Sequence, residues 1–123
     1  MRHEVTDADT ATAMGSGDVP VLATPRMLAW MEAETVEAAA AFLNTGQTTV
    51  GIAIRIEHRR ATPVGGSVEI AATPPRDVAG GHLTFGVQAV DSSGKVVAAG
   101  EIDRAIVDRQ RFLTSAAAVD AGH

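Results

Sequence analysis

Residues 21 to 43, VLATPRMLAWMEAETVEAAAAFL, open with a helix start signal and continue as one amphipathic helix. At about 100° per residue, Thr35, Ala39, Val36, Leu43, Met31 and Phe42 fall within roughly 80° of Leu28 and define an apolar face. Arg26, Ala33, Glu34 and Glu37 fall on the opposite, solvated side. Glu32 breaks the pattern, because it lies inside the apolar face. Thr24 followed by Pro25 reads as an N-cap hydroxyl with proline at the first helical position, where a missing N–H costs nothing. The helix N-terminus, with free N–H groups and partial positive charge, then sits about two turns from Glu32. The ordinary explanations are a cap for Thr24 and, for Glu32, a half-buried carboxylate paired with an arginine, since an unpaired buried charge is expensive.

The chain around this helix has 123 residues, enough for one domain with a real core but few enough that an oligomer interface would help to bury surface. It has no cysteine, so neither disulfides nor thiolate metal sites arise, and His3, His58, His82 and His123 are too scattered for a ligand cluster. No metal is expected. No apolar run is long enough to span a bilayer and MRHEVTDADT lacks a signal-peptide pattern, so the expectation is a cytoplasmic protein without a membrane partner. A net charge of −5 argues against nucleic-acid binding. The basic residues are nearly all arginine, the better phosphate fork, so a local cluster can still hold a small anion.

Past the helix, TTVGIAIRIEHRRAT (48–62) alternates as a strand, with Val50, Ile52, Ile54 and Ile56 on one face and Arg55, Glu57 and Arg59 on the other. The same parity carries His58 onto the apolar face, where a lone histidine is ordinarily a hydrogen-bonded core residue. Further strands are expected over Ser67 to Thr73, over HLTFGVQAV and, after the turn DSSGK, over VVAAGEIDRAIVD. The face of Val96, Ala98, Ile102 and Ile106 in the last of these also contains Arg104. Pro74 and Pro75 mark an edge, a bulge or a strand end. The domain is expected to run over residues 1–113, with 114–123, small and polar, as a flexible tail. Gly15, Ser16 and Gly17 are not followed by lysine and read as a surface turn rather than a phosphate loop. One long helix and about four antiparallel strands, with an extra N-terminal segment, predict an α+β fold: an antiparallel sheet wrapped around one central helix. An exposed strand edge would then pair with a second subunit. Trp30, on the outer side of the helix, is either a further contact leading to a tetramer or is packed under the N-terminal segment.

The segments GSGDVPVLATPRMLAWME, TTVGIAIRIEHRRATPVG and RAIVDRQRF, in this order from about Val5 to Leu113, resemble the hot-dog-fold acyl-CoA thioesterases related to fluoroacetyl-CoA thioesterase. The resemblance implies a homodimeric hot-dog fold, a coenzyme A thioester as substrate, no separate cofactor, and a threonine, glutamate and histidine site whose positions fall on Thr24, Glu32 and His58. It also implies a glycine at Gly51, where a missing side chain would let a thioester approach the backbone, and an arginine at Arg104, which either contacts the ligand's phosphates or pairs with a carboxylate. Arg59 and Arg60, just past His58, are further phosphate candidates. One departure matters: the fluoroacetyl-specific enzyme resembles a pocket with an aromatic lid before the helix, whereas residues 1 to 29 here contain no Phe, Trp or Tyr and the corresponding stretch is AMGSGDVPVLA.

For hydrolysis, Glu32 would activate a water or attack the carbonyl to form an anhydride, His58 would assist proton transfer, and Thr24 would position Glu32 or the water. The helix N-terminus would polarise the carbonyl. The competing functions are a non-catalytic acyl-CoA binding or sensing module and a hot-dog dehydratase. Three polar residues on the core side favour hydrolysis, because an inert module gains nothing from an embedded carboxylate.

Overall fold

A computed structural model describes residues 1–76 and 79–121. The elements run β1 (Arg2–Glu4), α1 (Ala11–Met14), α2 (Thr24–Ala39), β2 (Gln47–His58), β3 (Ser67–Ala72), β4 (His82–Asp91), β5 (Val96–Asp108) and α3 (Arg109–Ala121). The strands form one antiparallel sheet in the order β1-β3-β4-β5-β2. The long helix α2 lies across it, against β3 and β4. This is the predicted α+β architecture, with β1 as the extra N-terminal segment.

The core is the alternating inner face of the sheet, with Ile70, Leu83, Phe85, Val87, Ala89 and Ile102 packed on Met27, Met31 and Ala39 of α2. The buried helical stripe is Met27, Met31, Thr35 and Ala39, one residue every four. It is therefore rotated from the face centred on Leu28. Leu28 is only half-buried and Val36 is 49% exposed, so Glu32 sits at the border between the core stripe and an open flank rather than within the core. Trp30 stacks on His3 of β1, with ring centroids 4.3 Å apart, and so lies under the N-terminal segment.

The second departure lies in β2. Gly51 pairs with Arg104 and Ala53 with Asp103, which leaves Ile52 as the extra residue of a bulge. The bulge reverses the parity of the strand. Thr49 and Gly51 face inward before it, opposite Ile106 and Arg104, while Ile54, Ile56 and His58 face inward after it, opposite Ile102, Gly100 and Ala98. Val50 and Ile52 are thus not on the face that carries Ile54, Ile56 and His58. Ile52 is 51% and Ile54 40% exposed, and β2 is an edge strand of the sheet.

The two prolines mark a strand end, since β3 stops at Ala72. After β5 the chain is helical: α3 continues from Asp108, whose carboxylate accepts the Arg111 N–H at 2.9 Å, through an alanine-rich stretch of high helix propensity to Ala121, over most of the stretch read as a tail. Residues 122–123, with His123, lie outside the described residues. No helix among those described is long and apolar enough to cross a membrane.

Candidate active site

Two polar clusters stand along the facing lengths of α2 and β2. The first joins Thr24 to His58. The Thr24 hydroxyl lies 2.7 Å from His58 Nδ1, so it is not the helix cap the sequence suggested. That position belongs to Ala23, whose extended backbone (φ −71°, ψ 137°) precedes the first turn and whose carbonyl accepts the Met27 N–H at 3.1 Å. Removing the Thr24 hydroxyl therefore deprives His58 of its partner and not the helix of a cap. The other ring nitrogen, Nε2, is buried and has no hydrogen-bond partner among the described residues. The direction of this bond and the tautomer are linked: if Nδ1 accepts from Thr24, Nε2 carries the proton, and if Nδ1 donates, Nε2 is a free base.

Burial pushes the His58 ring below the ordinary histidine value of 6.5. The nearby Arg60 backbone acts more weakly in the opposite sense, without meeting hydrogen-bond geometry at Nε2. A rate that needs the neutral ring should therefore persist as the pH falls through 6.5 and decline only at lower pH. Stability moves with the same sign: below the unfolded value the unfolded chain takes up the proton first, so this site's contribution falls with falling pH until the folded-state value is passed. NMR titration of the His58 ring checks this, and a midpoint at or above 6.5 contradicts it.

Thr24 and His58 line a cavity of about 290 Å³ with Arg59, Arg60 and a wall of Ala11, Ser16, Gly17, Val19, Val21 and Leu22. Both arginines are about half-exposed, and among the described residues their partners are single carboxylates: Glu57 at 3.2 Å from Arg59, Asp91 at 3.9 Å from Arg60. Such pairs are weak and leave the guanidinium groups available to an anion. Among the described residues no Phe, Trp or Tyr side chain lines this cavity.

The second cluster joins Glu32, Gly51 and Arg104. Arg104 is 5% exposed and its Nη1 donates to Glu32 Oε2 at 3.2 Å, while its Nε and Nη2 donate to the hydroxyl and carbonyl of Thr49 at 2.9 and 3.2 Å. Arg104 thus pairs with a carboxylate and is not presented to the phosphates of a ligand. The ordinary explanation of Glu32 is realised in geometry, yet its side chain is 38% exposed and, among the described residues, only Oε2 is engaged. The other oxygen remains accessible. Gly51 lies beside it: a Cβ there would stand 2.7 Å from Glu32 Oε2, so glycine leaves room for the carboxylate. Thr49 escaped the sequence reading, because a threonine near a strand start has no distinguishing pattern until the bulge shows that it shares a face with Gly51.

Within one chain these clusters do not meet. Thr24 and Glu32 are eight residues apart on α2, about 12 Å at 1.5 Å per residue. Among the described residues, no group of three or more His, Asp or Glu side chains could hold a metal.

Comparison with known proteins locates this arrangement in a family. Residues 5–110 match the family model described as fluoroacetyl-CoA-specific thioesterase. The fluoroacetyl-CoA thioesterase of Streptantibioticus cattleyicolor is 35% identical over 92 residues, which are 75% of this chain and 65% of that relative, a little under two thirds of its length. A solved structure of the fluoroacetyl-CoA thioesterase FlK superposes with a TM-score of 0.85 at 28% identity, covering 94% of this chain and 89% of that one. A Thermus thermophilus member of the thioesterase superfamily shares the fold with a TM-score of 0.89 at 20% identity, over 98% of this chain and 88% of its own. The curled five-stranded sheet around α2 is thus a hot-dog fold, and the chain belongs to the fluoroacetyl-CoA-specific thioesterase family.

Proposed function

We propose that the protein hydrolyses an acyl-CoA thioester to the free acid and coenzyme A, with Thr24, Glu32 and His58 as its site. The observation that carries this is the unpartnered His58 Nε2 in a cavity that also holds Thr24 and two available arginines. Water adds across the thioester, so that a C–O bond forms, the C–S bond breaks and a proton reaches the departing sulfur. Glu32, through its free oxygen, activates the water or attacks the carbonyl itself. His58 relays the proton, and Thr24 holds the ring. Arg59 and Arg60 meet the phosphates of coenzyme A, which is part of the substrate, so that no cofactor is required. The charged substrate does not cross membranes, which suits a cytoplasmic enzyme.

The 12 Å separation is bridged by a homodimer. The open flank carries Val36, Ile52 and Ile54, all at least 40% exposed, and β2 offers a twelve-residue unpaired edge. Antiparallel pairing of two such edges, centred between Ile54 and Arg55, sets Gly51 level with the partner's His58. Glu32 then completes the partner's Thr24 and His58 pair. Trp30, partly buried, is stacked on His3 of β1 within its own chain.

The test is free-thiol release from a panel of short and medium acyl-CoA thioesters, with the mass in light scattering at micromolar concentration. Turnover and a dimeric mass are expected. Binding without thiol release would favour the sensing module, and a monomeric mass would remove the shared site. Fluoroacetyl-CoA should be no strong favourite over acetyl-CoA, because a pocket walled by glycine and small aliphatic residues has little rigid surface for sensing a fluorine. Even a well-fitted apolar pocket gains only about 1–3 kcal/mol from so small a change. A preference of several thousandfold would mean that Phe42 or Phe112 supplies a gate, since Phe85 is buried in the core.

A further inference from the structure

We propose that Thr49 is a positioning residue for the reaction, acting on Glu32 through Arg104; this rests on the role given to Glu32 above. The three bonds of Arg104 use all three guanidinium nitrogens, and Thr49 takes two of them, Nε at its hydroxyl and Nη2 at its carbonyl. Two attachments to one residue fix the guanidinium plane. The direction of the remaining nitrogen, Nη1, is then fixed as well, and it is this nitrogen that holds Glu32 Oε2. Thr49 and Gly51 share the inward face of β2 before the bulge, so one short segment anchors the arginine and leaves space for the carboxylate. Without the Thr49 hydroxyl, the Nε–H of an arginine that is 5% exposed has no acceptor. The guanidinium must turn to find one, and Glu32 loses its fixed donor.

Thr49→Val removes the hydroxyl while keeping the branched shape and the carbonyl, Thr49→Ala removes it without added bulk should valine disturb the fold, and Thr49→Ser retains it. With folding followed by thermal melting and turnover by thiol release, loss of the hydroxyl should lower kcat about tenfold, the scale of one charge-assisted hydrogen bond, and leave KM within about twofold. Thr49→Ser should restore kcat. In a Glu32→Gln background, Thr49→Val should have no further effect, because the residue it serves is already disabled. Undiminished kcat in both hydroxyl-free variants, or an equal further drop in the Glu32→Gln background, would overturn the assignment. Full activity of Glu32→Gln itself would instead overturn the proposed function, so the two failures are separable.

Discussion

Glu32→Gln and His58→Ala are each expected to lower kcat by about a hundredfold or more, the scale of losing a general acid or base, while the protein stays folded. Glutamine is the informative replacement. Its amide oxygen can still accept from Arg104 Nη1, now at 3.2 Å from the carboxylate, so the buried guanidinium keeps a partner and only the negative charge is lost. Removing the acceptor entirely would leave a buried cation unpaired and confound chemistry with stability. At His58 the substitution frees the Thr24 hydroxyl, which lies at an exposed site and can turn to water. Steady-state thiol release and thermal melting, measured on the same preparations, separate the outcomes. A fully active Glu32→Gln would show that the site has been misassigned. A variant inactive only because it unfolds would make Glu32 the structural half of an ion pair.

Most of the fold was legible because its strands have strong period-two patterns and lie between clear turns. β5 runs over the predicted residues, and β3 stops just before Pro74. The parity of β2 was not legible. A bulge leaves no mark in a run of alternating isoleucines, and a single extra residue moves every later side chain to the other face. The polar residues Glu32, His58 and Arg104 stood out as exceptions to apolar faces, yet their partners did not. Arg104 pairs with Glu32 across 72 residues and Thr24 with His58 across 34, and local periodicity carries no information about pairs so distant. The rotation of α2 had the same cause: the sheet beneath it chose Met27, Met31 and Thr35 over Leu28. Thr24 illustrates the limit at a single residue, since a threonine before Pro25 looks like a cap whether its hydroxyl meets a backbone N–H or an imidazole.

Gly51→Ala should reduce kcat by about tenfold and Gly51→Val by more, because the methyl group occupies the place of the carboxylate. A Cβ at Gly51 would approach Glu32 Oε2 to 2.7 Å and Arg104 Nη1 to 3.4 Å. The closer atom is the end of a flexible side chain at a half-exposed site, so relief comes from swinging the carboxylate aside and not from moving backbone. The backbone itself is no obstacle, since Gly51 is not among the glycines with positive φ. Replacing such a glycine with alanine restricts the unfolded chain and contributes about 0.4–1 kcal/mol of stability. Against that gain stands the displaced partner of the buried Arg104, so the melting temperature should hold or fall while kcat falls. The kinetic pattern also decides why the glycine is there. If its purpose were to let a thioester approach the backbone, the added methyl would raise KM; if it makes room for Glu32, the loss falls on kcat. A Gly51→Ala protein with wild-type kcat would show that the carboxylate does not need the position in which it now stands.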